Sequence, residues 1–289
     1  MLVPTLELLE TARSGAFAIG AFNIYTLEGV RAVVAAAEAA ASPAILQVLP
    51  KALELGGSAF ITLCRSSAHH ATVPMAVQLD HCADPAVIQS ALDAGISSVM
   101  ADGSHLPYAE NLAFTRQMTD LAHGAGTMLE AELGRLSGKE DDWEVDAREA
   151  CLTDPEQAID FVSRTEADAL AVCIGNVHGK YTRPPELDFD RLAAIAQRVS
   201  LPLVLHGTSG LPDELVSRSI SHGICKFNVN TELRQAAVSA AAAYLGSHEA
   251  PELIGLMNAQ IEAMQVPIRE KLTLFGSVGQ AAGGQHPSP

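Results

Sequence analysis

Apolar residues along this chain gather in short runs, often β-branched, divided by longer stretches in which apolar positions recur at helical spacing. The runs near 17–22, 44–48, 75–80, 97–101, 126–131, 168–173, 202–205 and 223–228 predict strands. Each interval between them is long enough for a helix and its turns. Eight such repeats predict an α/β fold, a parallel (β/α)8 TIM barrel, which takes about 250 residues. Residues 5–13 read as a lead-in helix, and 231–245 and 251–273 as extra C-terminal helices beyond the eighth unit. Those last helices have no slot left on the barrel, so they predict either packing on a second subunit or an intramolecular cap. Residues 278–289 predict a frayed tail. No shift in composition divides the chain, and 1–289 reads as a single domain.

Turn chemistry agrees with the periodicity. Asp84-Pro85 offers an N-cap followed by proline at the first helical position, with Gly95 as the stop. Thr153-Asp154-Pro155-Glu156 combines capping-box spacing with the same proline placement, and Leu211-Pro212-Asp213 opens a helix that ends at Gly223. After residue 27, Val30, Val33, Val34 and Ala37 form one apolar stripe that predicts a helix face packed on the barrel. The widest gap between strands holds Gly134 to Glu149, polar and glycine-bearing, and predicts a mobile loop over the site.

Charge narrows the partners. Eighteen Lys and Arg stand against 34 Asp and Glu, a net charge of -16. This argues against nucleic acid and against an anionic membrane surface. Five scattered cysteines without C-x-x-C spacing suggest neither a disulfide framework nor a thiolate metal site, and fit a cytoplasmic protein. The N-terminus lacks a basic leader, and no apolar run approaches the ~18 residues of a membrane span.

Candidate chemistry collects at predicted strand ends, where barrels of this class keep their active sites. Ala76-Val77-Gln78-Leu79-Asp80-His81 ends in an acid and an imidazole; His178 follows the sixth strand and His206 closes the seventh. Three imidazoles on one rim leave a fourth position open on a tetrahedral zinc, the arrangement of catalytic sites. Asp80 beside them is the candidate for proton transfer, with a second-shell role as its alternative. Asn23, Gln47, Asp102, Glu132 and Asn228 occupy the other strand ends. His69, His70, His105, His123, His222, His248 and His286 read as solvated. Gly207-Thr208-Ser209-Gly210 and Asn228-Val229-Asn230-Thr231 suit a phosphate nest, because backbone N–H groups and a helix N-terminus hold an anion without net positive charge.

Together, Ala21-Phe22-Asn23, Gln78-Leu79-Asp80-His81, Met100-Ala101-Asp102-Gly103-Ser104, Glu130-Ala131-Glu132-Leu133-Gly134, Gly175-Asn176-Val177-His178-Gly179, His206-Gly207-Thr208-Ser209-Gly210 and Lys226-Phe227-Asn228-Val229-Asn230-Thr231 resemble the class II, zinc-dependent ketose-bisphosphate aldolases. The resemblance implies retro-aldol cleavage of fructose- or tagatose-1,6-bisphosphate, or a close analogue, to dihydroxyacetone phosphate and an aldehyde. It implies His81, His178 and His206 as zinc ligands, and Asp80 as the acid/base at the C4 hydroxyl. Glu140 matches a loop glutamate that moves the C3 proton, while Asp102 and Glu132 match acidic residues beside the metal. Gly179, Gly207, Thr208, Ser209, Asn228, Asn230 and Thr231 match the phosphate-binding positions.

The chain departs from the pattern in places. Asn230 stands where fructose-type members often carry aspartate and tagatose-type members a small residue. Gly276-Ser277-Val278-Gly279-Gln280 lacks the basic residue common in tagatose-type relatives. Arg234 is a candidate for the distal phosphate and equally a helix-surface arginine. The C4 configuration, the second phosphate and the aldehyde product therefore stay open, and a ketose monophosphate or a deoxy-sugar acid phosphate is the alternative substrate. The expected cofactor is one zinc ion per subunit, with a monovalent cation as a second candidate; a homodimer or homotetramer is the expected assembly. Rival readings are a Schiff-base aldolase with Lys226 as nucleophile, a zinc hydrolase, for which the paired H-x-H is missing, and a catalytically silent zinc- and phosphate-binding protein.

Overall fold

The structure is a computed structural model that describes residues 1–140, 143–145, 151–178 and 184–281. Eight parallel strands close into a barrel: β1 (Ile19–Asn23), β2 (Ala44–Val48), β3 (Met75–Cys82), β4 (Ser98–Ala101), β5 (Met128–Leu133), then β8 (Ala169–Val172), β10 (Leu203–Leu205) and β11 (Ile224–Val229), which pairs back onto β1. This is the expected (β/α)8 barrel. The intervening β6 (Ser137–Glu140), β7 (Trp143–Val145) and β9 (Val177–His178) form a small second sheet above it. The stretch expected to be a mobile loop thus contains an antiparallel pair, and β6 runs parallel to β9 with Gly138 opposite His178.

The helices form the outer layer. They are α1 (Thr5–Gly15), α2 (Leu27–Ala39), α3 (Pro50–His70), α4 (Pro85–Asp93), α5 (Tyr108–Gly124), α6 (Pro155–Thr165), α7 (Phe189–Ala196), α8 (Asp213–Ser221), α9 (Thr231–Ser247) and α10 (Leu253–Leu274). Asp84 caps α4 through the Ala86 amide at 2.8 Å, with Pro85 at the first helical position as read from sequence. At α6 the cap is Asp154, which accepts from Glu156 and Gln157 at 2.9 Å each. Thr153 is not the capping residue; its hydroxyl donates to the Leu133 carbonyl and accepts from the Cys173 amide, tying the ends of β5 and β8 together.

Inside the barrel, one layer is apolar and closed from below. Ile19, Ile45, Ala76, Met128, Ala169 and Val204 pack on Leu8, Leu9, Ala12 and Phe17 of the lead-in segment, so α1 plugs the N-terminal end. The outer faces of the strands pack against the helix stripes; Val30, Val33 and Ala37 of α2 are fully buried. Within the chain, the additional C-terminal helices pack with α10 along α9 and α2, and Phe275 stacks on Phe227 of β11 with ring centroids 4.8 Å apart. Val238, Leu245, Leu253, Ile254 and Val266 on this helix pair remain exposed. Among the described residues, no helix is long and apolar enough to cross a membrane.

Candidate active site

With one end of the barrel plugged by α1, the polar residues of the interior lie toward the other end, where the strands finish. The strand pleat repeats every two residues, so Gln78 and Asp80, Glu130 and Glu132, and Lys226 and Asn228 share their strands' inward faces in two successive layers. All six side chains are buried.

The third strand breaks the pleat at its tip. β3 continues two residues past its predicted end, its pairing with β4 shifts between Leu79 and Cys82, and His81 takes a positive φ of 40°. A bulge of this kind turns a side chain that would face outward back toward the interior. Asp80 Oδ1 and His81 Nε2 consequently lie 4.0 Å apart. A left-handed backbone at a non-glycine residue costs on the order of 1–3 kcal/mol, a cost typically tolerated where a site requires the geometry.

His81 Nδ1 hydrogen-bonds Asp102 Oδ2 at 2.7 Å, and the other Asp102 oxygen accepts from the Ser104 amide at 3.0 Å. His206, at the end of β10, places its ring 4.5 Å from that of His81. Glu132 Oε2 lies 3.7 Å from Nδ1 of each histidine. His81, Glu132 and His206 are all buried, and each offers one ligand atom within 4.8 Å of the others. Two imidazoles and a carboxylate suit a divalent ion that accepts mixed nitrogen and oxygen donors. Glu132, expected beside the metal, thus stands among the candidate ligands.

The third expected histidine is His178. Its backbone ends β9, and its side chain lies outside the described residues. The loop carrying it is pinned beside His206: Asn176 Nδ2 donates to the His206 carbonyl at 3.0 Å, and Asn176 Oδ1 accepts from the Ile174 amide at 2.8 Å. Gly207, at φ 67°, lets the Val177 carbonyl approach so closely that a Cβ there would sit 2.2 Å from its oxygen. Glu140 ends β6 and its side chain likewise lies outside the described residues, as does all of Gly179.

The electrostatics favour positive charge at the cluster. Burial lowers the pKa of His81, but Asp80, Asp102 and Glu132 around it raise it further, to well above the ordinary imidazole value. A divalent cation meets the same field. Burial and the neighbouring His81 push His206 down to about 4, which keeps it in the neutral form that metal binding requires. Burial alone would raise the Asp102 carboxyl, yet its bond with His81 holds it well below the usual carboxylate range.

Asp80 is fully buried, with both oxygens held: Oδ2 accepts from Asn23 Nδ2 at 2.8 Å and Oδ1 from Asn228 Nδ2 at 3.1 Å. Gln47 is buried on the rung between Asn23 and Gln78, and neither amide atom has a hydrogen-bond partner among the described residues. Thr208 donates to the Asn228 carbonyl at 2.6 Å, joining the two predicted phosphate segments. Asn230 precedes α9 without capping it, and its Oδ1 accepts from the Tyr25 hydroxyl at 2.8 Å; Thr231 is the first residue of that helix. Arg234 lies on the exposed surface of α9.

Further polar side chains adjoin the site. Ser209 donates its hydroxyl to Glu232, whose other oxygen is 3.4 Å from Lys271 Nζ on α10, so a carboxylate and a lysine that no motif announced adjoin the segment expected to hold phosphate. Glu130, on the inward face one layer below Glu132, bonds His206 Nε2 at 3.0 Å. Lys226, the rival Schiff-base nucleophile, is fully buried with its Nζ bound to Glu130 and Asn228. An ammonium held this way has neither the free lone pair nor the access that attack on a carbonyl needs.

Over residues 3–280 the chain matches the family described as fructose-bisphosphate aldolase class-II. Among solved structures, it is similar to a provisionally assigned fructose-1,6-biphosphate aldolase from Coccidioides immitis, with 35% identity, 96% of this chain and 98% of that one covered, and a TM-score of 0.90. It is also similar to the YdjI aldolase from Escherichia coli K12, with 36% identity, 97% and 100% covered, and a TM-score of 0.86. The fructose-bisphosphate aldolase Fba from Campylobacter jejuni, at 22% identity, 96% coverage of each chain and a TM-score of 0.80, shares the fold. Because the family match spans nearly the whole length and relatives above a third identical superpose along their full chains, the protein belongs to the class II fructose-bisphosphate aldolase family and is an aldolase, a lyase of carbon–carbon bonds.

Proposed function

We propose that this aldolase carries out zinc-dependent, reversible retro-aldol cleavage of a ketose 1,6-bisphosphate, of fructose or tagatose configuration, to dihydroxyacetone phosphate and glyceraldehyde 3-phosphate. One zinc ion per subunit is held by His81, His178 and His206, with Glu132 and Asp102 as the acidic neighbours. When bound, zinc supplies Lewis-acid stabilisation of the negative charge that develops as the C3–C4 bond breaks.

The chain's own residues do the rest. Asp80 takes the C4 hydroxyl proton as C4 becomes a carbonyl carbon, and the electrons of the broken bond stay on the C3 side. Glu140 returns a proton to C3, giving dihydroxyacetone phosphate. Gly179, Gly207, Thr208, Ser209, Asn228, Asn230 and Thr231 hold its phosphate, with Asn23 and Gln47 at the ketose hydroxyls and Arg234 toward the distal phosphate. The observation that carries this reading is Asp80, clamped through both oxygens and 4.0 Å from His81. Exposed Leu253 and Ile254, 68% and 66% accessible, support a homodimer or homotetramer.

The test is a panel of fructose-1,6-, tagatose-1,6-, monophosphate and deoxy-analogue ketoses, assayed before and after metal stripping and after zinc is restored. Cleavage of a bisphosphate that disappears with the metal and returns with zinc is expected. Cleavage confined to a monophosphate or deoxy-sugar acid phosphate would move the substrate to that class. Zinc binding with no turnover and no exchange of the dihydroxyacetone phosphate C3 proton would leave a silent binding protein.

A further inference from the structure

One buried ammonium links the two halves of this site. Lys226 Nζ lies 2.9 Å from Glu130 Oε2, 3.1 Å from Glu130 Oε1 and 2.8 Å from Asn228 Oδ1. A lysine ammonium has three protons to donate and accepts nothing. All three partner atoms must therefore be acceptors, and the assignment propagates in both directions. Asn228 has to turn its oxygen to Lys226, so its NH2 faces Asp80 Oδ1 at 3.1 Å. Glu130 is held ionised by Lys226 and by Gln78 Nε2 at 2.9 Å, so its bond to His206 fixes the proton on Nε2. That leaves the Nδ1 lone pair of His206 on the side of Glu132, where the ligand atoms converge.

We propose that Lys226 is a positioning residue that sets both the metal-binding tautomer of His206, through Glu130, and the orientation of Asp80, through Asn228. The inference rests on the proposed metal-dependent aldol reaction and goes beyond it by assigning one origin to ligand geometry and proton transfer. Its place in the fold supports the role. Lys226, Glu130 and Gln78 form the layer directly beneath Asn228, Glu132 and Asp80, each two residues earlier on the same strand. A neutral side chain at Lys226 would leave the Glu130 charge buried without a cation and let the Asn228 amide flip its oxygen toward Asp80.

The experiment compares the parent with Lys226→Met and with the charge-neutral pair Glu130→Gln/Lys226→Met, which spares the fold an isolated buried carboxylate. Thermal unfolding establishes which variants fold. Cobalt(II) absorption and competition with a chromogenic chelator report ligand geometry and metal affinity without any turnover. Ketose-bisphosphate cleavage at saturating metal then reports Asp80. We expect metal affinity to fall about 10–100-fold, as when a histidine ligand loses its supporting partner. We also expect an altered cobalt spectrum, and kcat at saturating metal lower by about a hundredfold, the scale of an ångström-sized misplacement. A folded variant with the parent's spectrum, affinity and kcat overturns the proposal, and so does loss of fold in both variants, which would make the lysine purely structural. A parent that binds no cobalt overturns the metal reading itself, and this is seen before any variant is measured.

Discussion

Asp80 Oδ1 and His81 Nε2 lie 4.0 Å apart although the two residues are consecutive in one strand, whose ordinary pleat would send them to opposite faces. The left-handed backbone at His81 and the bulge against β4 bring them together. His81→Asn and His81→Val should both lose metal affinity, since neither offers an imidazole. They should differ in stability, because asparagine tolerates positive φ and a β-branched residue does not. In metal-free protein, denaturant midpoints should place the valine variant about 1–2 kcal/mol below the asparagine variant; equal midpoints would mean that the backbone relaxes freely.

Removing the proposed proton acceptor alone should separate chemistry from metal binding. Asp80→Asn preserves size, and its metal content by atomic absorption should equal the parent's. Cleavage kcat should fall about 10²–10⁴-fold, the usual contribution of a positioned acid/base. Loss of bound metal instead would mean that Asp80 serves as a ligand or supports one.

A Cβ on Gly207 would meet the Val177 carbonyl oxygen at 2.2 Å, and Gly207 also holds a φ of 67°. Gly207→Ala should push the Val177–His178 strand away from His206. We expect a stability loss of about 1–3 kcal/mol, in line with strain at a special backbone position. Cleavage should drop along with it; a fully active alanine variant would show that the loop need not sit against β10.

Thiol chemistry offers a check on packing. Burial raises Cys64, Cys173 and Cys225 to about 12 and Cys82 to about 11, whereas Cys151 is exposed. A thiol reacts as the thiolate, so at pH 8 a disulfide reagent should modify Cys151 in the native protein and reach the other four only on unfolding. Fast modification of a second cysteine, located by peptide mass, would contradict the burial of that strand or helix.

Much of this architecture was legible in the chain, and the reasons are local. β2 (Ala44–Val48) matches its apolar run residue for residue, and Asp84-Pro85 starts α4 as its capping chemistry requires. Where boundaries moved, the cause was tertiary. β5 reaches Leu133, two residues beyond its predicted end, because Glu132 points into a barrel whose interior is polar at this end. A charged residue inside a strand reads as its end unless the partner that neutralises it is known. Lys226 stood out in sequence only as a nucleophile for the same reason, since its partner lies 96 residues earlier.

Periodicity and turn residues alone determined that this chain is a ring of strand–helix units with acids, imidazoles and amides at the strand tips, because those signals act over a few residues and need no distant partner. Only closure of the barrel decided which of them meet. It joins Asn228 to Asp80 across 148 residues of chain, sets Glu132 between His81 and His206, and ties Lys226 to both Glu130 and Asn228. Hydrogen bonds and ligand geometry act over about 3 Å. Distances of that kind are fixed by the register of eight paired strands, which no single segment encodes.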